Sequence, residues 1–151
     1  MTTARYRSHM DLALAEARLA AEAGEVPVGA VVTRGDAVIA TGRNRTLEWK
    51  DPTAHAEIVA LRAAGRVLGS ERLIDCDLWV SLEPCPMCAG AISFSRIRRL
   101  YYGASDPKGG AVDNGVRLYA SPTCHHVPEV YSGIGEREAG EMLRGFFRER
   151  R

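Results

Sequence analysis

Apolar residues recur along this chain with two periods, and the switches between them mark out its elements. From about Ala4 to Ala23 they fall at Met10, Ala13, Leu14, Ala17 and Ala21, with Asp11, Ala15, Arg18 and Glu22 opposite. That spacing predicts an amphipathic helix, ended by Gly24. Val26 to Thr33 and Ala37 to about Arg43 read as strands, and the turn Arg34-Gly35-Asp36 between them predicts an antiparallel hairpin. Asp51-Pro52-Thr53 carries helix-start chemistry, so a helix is expected from there to about Leu68, stopping near Gly69. Leu78 to Leu82 reads as a short strand, Cys85 to Ser95 as a helix entered at Pro84, and Leu100 to Tyr102 as another strand. A glycine-rich loop, Gly103 to Gly115, precedes a short strand at Val127 to Tyr131. The last helix, about Glu136 to Arg150, places Ala139, Met142, Leu143 and Phe146 on one face. Strands alternating with helices predict an α/β layered domain whose sheet is partly parallel.

Two clusters carry chemistry: His55-Ala56-Glu57, and Pro84-Cys85-Pro86-Met87-Cys88. They offer one imidazole and two thiolates, with a carboxylate beside them. Structural zinc sites take four protein ligands, whereas catalytic sites supply three and leave a position for water. Both clusters open a predicted helix, where unpaired N–H groups and the helix dipole favour thiolate over thiol. Residues two apart on a helix diverge, so Glu57 is read as a proton carrier beside the ligand His55. The alternatives are a redox Cys-x-x-Cys pair, or a structural zinc site completed by Cys124, His125 or His126.

The chain has 151 residues, 46% hydrophobic and 26% charged, as expected of one globular domain spanning 1–151. No apolar run approaches the roughly 20 residues of a membrane span, and nothing resembles a signal peptide, so a cytoplasmic protein without membrane association is expected. Four cysteines without a secretory signal argue against a disulfide framework; Cys76 and Cys124 read as core or loop thiols. The net charge of +1 excludes a strong global field for nucleic acid. Arg96, Arg98, Arg99, Lys108, Arg144, Arg148, Arg150 and Arg151 are unevenly placed, however, and would form a phosphate-binding stripe if they converged.

His-x-Glu followed by Pro-Cys-x-x-Cys resembles the known signature of zinc nucleobase and nucleoside deaminases, bacterial tRNA adenosine deaminases among them. The segments Glu25-Val26-Pro27-Val28-Gly29-Ala30, Asp51 to Ile58, Leu82 to Ala91, Ser95-Arg96-Ile97 and Phe146-Phe147-Arg148 extend that similarity nearly end to end. On them the chain resembles the bacterial tRNA-specific adenosine deaminases of the TadA type, in the cytidine deaminase-like superfamily. The resemblance implies a three-layer α-β-α fold, with a mixed sheet of about five strands flanked by helices. It implies conversion of adenosine to inosine at the tRNA wobble position, chiefly in arginine tRNA with an ACG anticodon, with zinc hydroxide attacking C6. It also implies one Zn2+ per subunit on His55, Cys85 and Cys88, with Glu57 shuttling protons. Asn44 matches a nucleoside-holding residue, or is a turn-forming Asn. Val26 matches a position lining the base pocket, and the backbone amides of Ala56 and Cys85 would help place water and base. Asp106 and Lys108 match a segment touching the RNA backbone, while Arg96, Phe147 and Arg148 would belong to the RNA surface. The family is dimeric, so a homodimer is expected. The enzyme alternative is a free-base deaminase such as guanine deaminase; the non-enzyme alternative is a zinc-stabilised binding or redox module.

Overall fold

The structure is a computed structural model that describes the backbone of residues 2–150 and the side chains of residues 9–150. In chain order it contains α1 (Thr2–Glu22), β1 (Gly29–Arg34), β2 (Ala37–Arg43), α2 (Ala56–Leu68), β3 (Cys76–Leu82), α3 (Pro86–Phe94), β4 (Arg99–Ala104), β5 (Glu129–Tyr131) and α4 (Glu136–Glu149). The strands form one sheet in the order β2-β1-β3-β4-β5. β1 runs antiparallel to β2 and β3, whereas β3, β4 and β5 are parallel. A mixed five-stranded α/β sheet is therefore present, as expected.

The period-two pattern of the central strands distributes side chains to two helical layers. Val31, Trp79 and Tyr101 pack with Met10, Ala13, Leu14 and Ala139 of α1 and α4. Ala30, Val32, Leu78, Val80, Leu100 and Tyr102 pack with Ala56, Ala60, Leu61, Ala89 and Ile92 of α2 and α3. Alternate residues of a strand face opposite sides of the sheet, which is why one strand feeds both cores. No helix among the described residues is long and apolar enough to cross a membrane.

Glycine lets the helices sit against the sheet. A Cβ at Gly42 of β2 would lie 2.6 Å from both the Ala56 carbonyl oxygen and the Ala60 nitrogen of α2. Those neighbours are backbone and cannot rotate away. Gly42→Ala is expected to lower stability by about 2 kcal/mol, in the overpacking range, and to displace the first turn of α2. Urea unfolding midpoints check it; an unchanged midpoint would show that α2 has room to retreat.

Several boundaries differ from the sequence expectation. β1 begins at Gly29, not Val26: the chain first turns at Pro27, with the Val28 N–H donating to the Val26 carbonyl at 2.8 Å. Ala20 rather than Ala21 is fully buried in α1. Asp51 does not cap α2; its Oδ1 accepts from the Thr53 N–H and hydroxyl at 2.9 and 2.7 Å, closing a turn. The helix starts at Ala56 with His55 in the N-cap position, because the 51–55 turns use the chain before the helix can begin. β3 and β4 are longer than predicted, β5 is shorter, and a 3₁₀ turn, Leu118–Ala120, occupies a stretch for which no element was expected.

Candidate active site

Two helix starts meet at one point. His55 and Cys85 occupy the N-cap positions of α2 and α3, both extended, with ψ of 158° and 174°. Their carbonyls accept the first helical bonds, from Val59 at 3.0 Å and Ala89 at 2.8 Å. Pro86 follows at the first helical position of α3, where a missing N–H costs nothing. Cys88, three residues past Cys85, returns to the same side of the helix and is fully buried.

His55 Nδ1 lies 3.5 Å from Cys85 Sγ and 3.5 Å from Cys88 Sγ. All three ligand atoms fall within 4.8 Å of one another. With Zn–S near 2.3 Å and Zn–N near 2.05 Å, a tetrahedral ion sets an N···S edge of about 3.6 Å. The donor set therefore fits a tetrahedral divalent metal and leaves one corner open. Among the described residues, Cys124, His125 and His126 do not join this group. Cys124 Sγ lies instead 3.5 Å from the Ser93 hydroxyl, and His126 Nε2 donates to the Ile97 carbonyl at 2.6 Å. Cys76 is a buried free thiol, as expected of a core cysteine.

The charges at this point are set by close packing. The Cys88 thiol donates to Cys85, and this bond, aided by His55, draws the Cys85 thiol down to about 4 against the opposing effect of burial. Cys88 is correspondingly pushed far up, by that donated bond first and by burial second. His55 is raised chiefly by its contact with Cys85. A cation entering the site displaces the proton the sulfurs share, so metal affinity must rise with pH. Glu57 is 4% exposed, and burial, reinforced by the Cys85 thiolate, pushes its carboxyl up to about 7. A carboxyl near neutrality both accepts and donates a proton at working pH.

A cavity of about 200 Å³ opens beside these residues, lined by Val26, Val28, Asn44, His55, Ala56, Glu57, Leu82, Glu83, Cys85, Asp106 and Gly109. Val26 reaches it because the chain is not yet in β1 there. Asn44 follows β2 and is 7% exposed; its Oδ1 is buried without a hydrogen-bond partner. An orphaned acceptor costs about 1–3 kcal/mol, a cost that a donor on a bound molecule would offset.

A broader groove of about 890 Å³ adjoins the cavity, sharing Val26, Leu82, Asp106 and Gly109 and adding Lys108, Leu143, Arg144, Phe147 and Arg148. Lys108, Phe147 and Arg148 thus come together. Arg96 does not: it follows the C-terminal end of α3, in a left-handed turn with φ of 64°, about 12 Å along the helix from Cys88 by the helical rise.

Two buried acids here were given no role from sequence. Glu25, 2% exposed, accepts from the Leu47 and Glu48 N–H groups at 3.1 and 2.8 Å and from the Thr46 hydroxyl at 3.3 Å, tying down the loop after Asn44. Glu83, also 2% exposed, accepts from the loop after β4. Although burial works against it, those bonds hold its carboxyl below the usual range. Arg144 enters the groove from α4. The available signal for the two acids was a lone carboxylate next to an apolar strand segment, a position that needs a partner.

The chain matches the MafB19-like deaminase family over residues 5–151. It is 62% identical to a tRNA-specific adenosine deaminase of Agrobacterium fabrum, across 96% of each chain. It superposes with a TM-score of 0.89 and 61% identity on a solved tRNA deaminase of A-to-I editing at the wobble position of transfer RNA, covering 90% of this chain and 99% of that one. A guanine deaminase from Nitrosomonas europaea shares the fold more distantly, with a TM-score of 0.80 and 27% identity over 93% of this chain and 83% of its own.

Proposed function

The chain belongs to the MafB19-like deaminase family, and from that membership we propose that it hydrolyses adenosine to inosine at the wobble position of a tRNA, chiefly arginine tRNA with an ACG anticodon. The observation that carries the substrate is the 62% identity, over nearly all of both chains, to a tRNA-specific adenosine deaminase. Guanine deaminase is disfavoured because its solved examples are more distant, at 27% and 33% identity. A redox or purely structural zinc module leaves unexplained a buried carboxyl tuned to about 7 beside an open three-ligand centre.

His55, Cys85 and Cys88 would hold one zinc ion per subunit, which supplies a water acidified to about pKa 7. The chain's own residues do the rest. Glu57 takes the proton of the attacking water and passes it to N1 of the adenine as the C6–O bond forms. It then takes the proton of the new C6 hydroxyl and delivers it to the amino group as the C6–N bond breaks and ammonia departs, leaving the C6 carbonyl. Helix first-turn amides such as that of Ala56 have no intrahelical partner and are free to orient water and base. Val26 packs on the base, and the unpartnered Asn44 Oδ1 receives a donor from the nucleoside.

The groove supports an RNA substrate. Lys108, Arg144 and Arg148 place positive charge along it, and Phe147, half exposed, offers a face for an unpaired base. An anticodon loop presents its bases already unstacked from a duplex, which lowers the cost of reaching one. A tRNA substrate supports a cytoplasmic location. A homodimer is supported by the exposed Val67 and Phe94 on the outer faces of α2 and α3.

On an anticodon stem-loop, kcat/KM is expected to exceed that on free guanine or adenosine and to fall steeply with salt. Replacing Arg144 and Arg148 together by Ala should weaken binding and reduce the log–log salt slope by about 1 to 2, one phosphate contact accounting for about 0.7. Free guanine turned over faster than the stem-loop, with no salt dependence, would point to the base deaminase instead.

A further inference from the structure

Glu83 precedes the metal-ligand segment Pro84-Cys85, yet its hydrogen bonds run to another part of the chain. Its Oε1 accepts from the Asp106 N–H at 2.9 Å and from Asn114 Nδ2 at 2.7 Å. Its Oε2 accepts from the N–H groups of Val112, Asp113 and Asn114 at 3.1, 2.9 and 3.0 Å. Three successive amides converging on one oxygen form a concave anion-binding nest, here filled by the protein's own carboxylate. The loop is shaped around that group: a Cβ at Gly110 would lie 2.5 Å from Glu83 Cδ. The Gly110 N–H bonds back to the Asp106 carbonyl and the Ala111 N–H to the Pro84 carbonyl, at 2.8 and 2.9 Å. Between these anchors stand Asp106, Lys108 and Gly109, which border the cavity and the groove. Asp106 Oδ1 is itself held by the Lys108 and Gly109 amides at 3.2 and 3.0 Å.

We propose that Glu83 is a positioning residue for the RNA substrate: its buried carboxylate fixes the 105–114 loop against the metal-ligand segment, so that Asp106 and Lys108 are ordered before RNA arrives. This rests on the tRNA reading above. A loop ordered in advance loses less conformational freedom on binding, so its contribution falls on substrate affinity and not on the bond-breaking step. Glu83 borders the cavity, but in this role both its carboxylate oxygens are engaged by the loop.

The test compares Glu83→Gln and Asn114→Ala with the parent protein on an anticodon stem-loop. Glu83→Gln keeps the shape but turns an amide donor toward the nest; Asn114→Ala releases the loop from its far side and leaves Glu83 in place. Losing a hydrogen bond to a charged group is worth about tenfold or more. KM is expected to rise by at least that much in Glu83→Gln and less in Asn114→Ala, while kcat falls less than KM rises and zinc content stays at the parent level. Hydrogen exchange at the amides of Asp106, Val112, Asp113 and Asn114 should accelerate in both variants. An unchanged KM with exchange protection intact overturns the proposal. So does a loss confined to kcat and zinc content, which would assign Glu83 to the metal segment alone. Should Glu83→Gln fail to fold, Asn114→Ala decides by the same measures. Should the parent protein leave the stem-loop unmodified, the functional reading fails, and exchange in the two variants still decides whether Glu83 orders the loop.

Discussion

Glu57→Ala is expected to lower kcat by about 10³- to 10⁴-fold, near the upper limit for a positioned acid–base group, with the metal still bound and the fold intact. In the proposed mechanism Glu57 serves twice, taking a proton from water and giving one to the departing nitrogen. Its carboxyl is buried and held near 7, so no solvent group replaces it at the same place. It is not one of the three ligand residues, which is why metal content should be unaffected. Single-turnover rates with metal analysis on the same preparation check this. A variant that keeps more than about a tenth of the parent kcat would remove Glu57 from its role, since general acid–base catalysis contributes at least about 10².

Removing the metal should have the other large effect. Cys88 is fully buried, with its sulfur in one group with the His55 ring nitrogen and the Cys85 sulfur. Cys88→Ala leaves His55 and Cys85 as a two-ligand site, too few for zinc in either its structural or its catalytic form. Activity is expected to fall to background, and zinc to be absent after purification. A ligand present at 1,000 times its Kd stabilises by about 4 kcal/mol, or roughly 10 °C in Tm for a chain of this size. Chelation of the parent protein should lower Tm by about that much, and added zinc should restore both Tm and turnover. Full activity in chelated protein would contradict the metal centre. The sign with pH follows from the proton that the two sulfurs share. Zinc binding expels it, so affinity rises with pH and is lost in acid.

Periodicity carried most of the fold. Where apolar residues recur at helical spacing, as in α4, burial follows the pattern and the element lies where expected, whereas β1 and β3, buried on both faces, were legible as strands but not in their starts. The errors sit where local hydrogen bonding competes with that pattern. Asp51-Pro52-Thr53 has the residues of a helix cap, but the Asp51 carboxylate bonds Thr53 in a turn, and His55 takes the cap position. Val26 has strand composition, yet the turn at Pro27 keeps it out of β1 and in the cavity wall. The clustering of His55, Cys85 and Cys88 beside Glu57 was legible because helix starts impose fixed spacing on them. Glu25 and Glu83 were not, because their partners are backbone amides more than twenty residues away, and backbone amides leave no mark in a sequence. The convergence of Lys108, Arg144 and Arg148 depends on how α4 lies along the sheet, which composition does not encode, and Arg96 shows the other outcome.

The most direct measurement is to incubate the protein with arginine tRNA bearing an ACG anticodon and map inosine along the whole molecule. Inosine confined to the wobble adenosine, formed by the parent protein and absent with Glu57→Ala, is the expected result. A tRNA left unmodified by zinc-loaded protein that deaminates free guanine would contradict it.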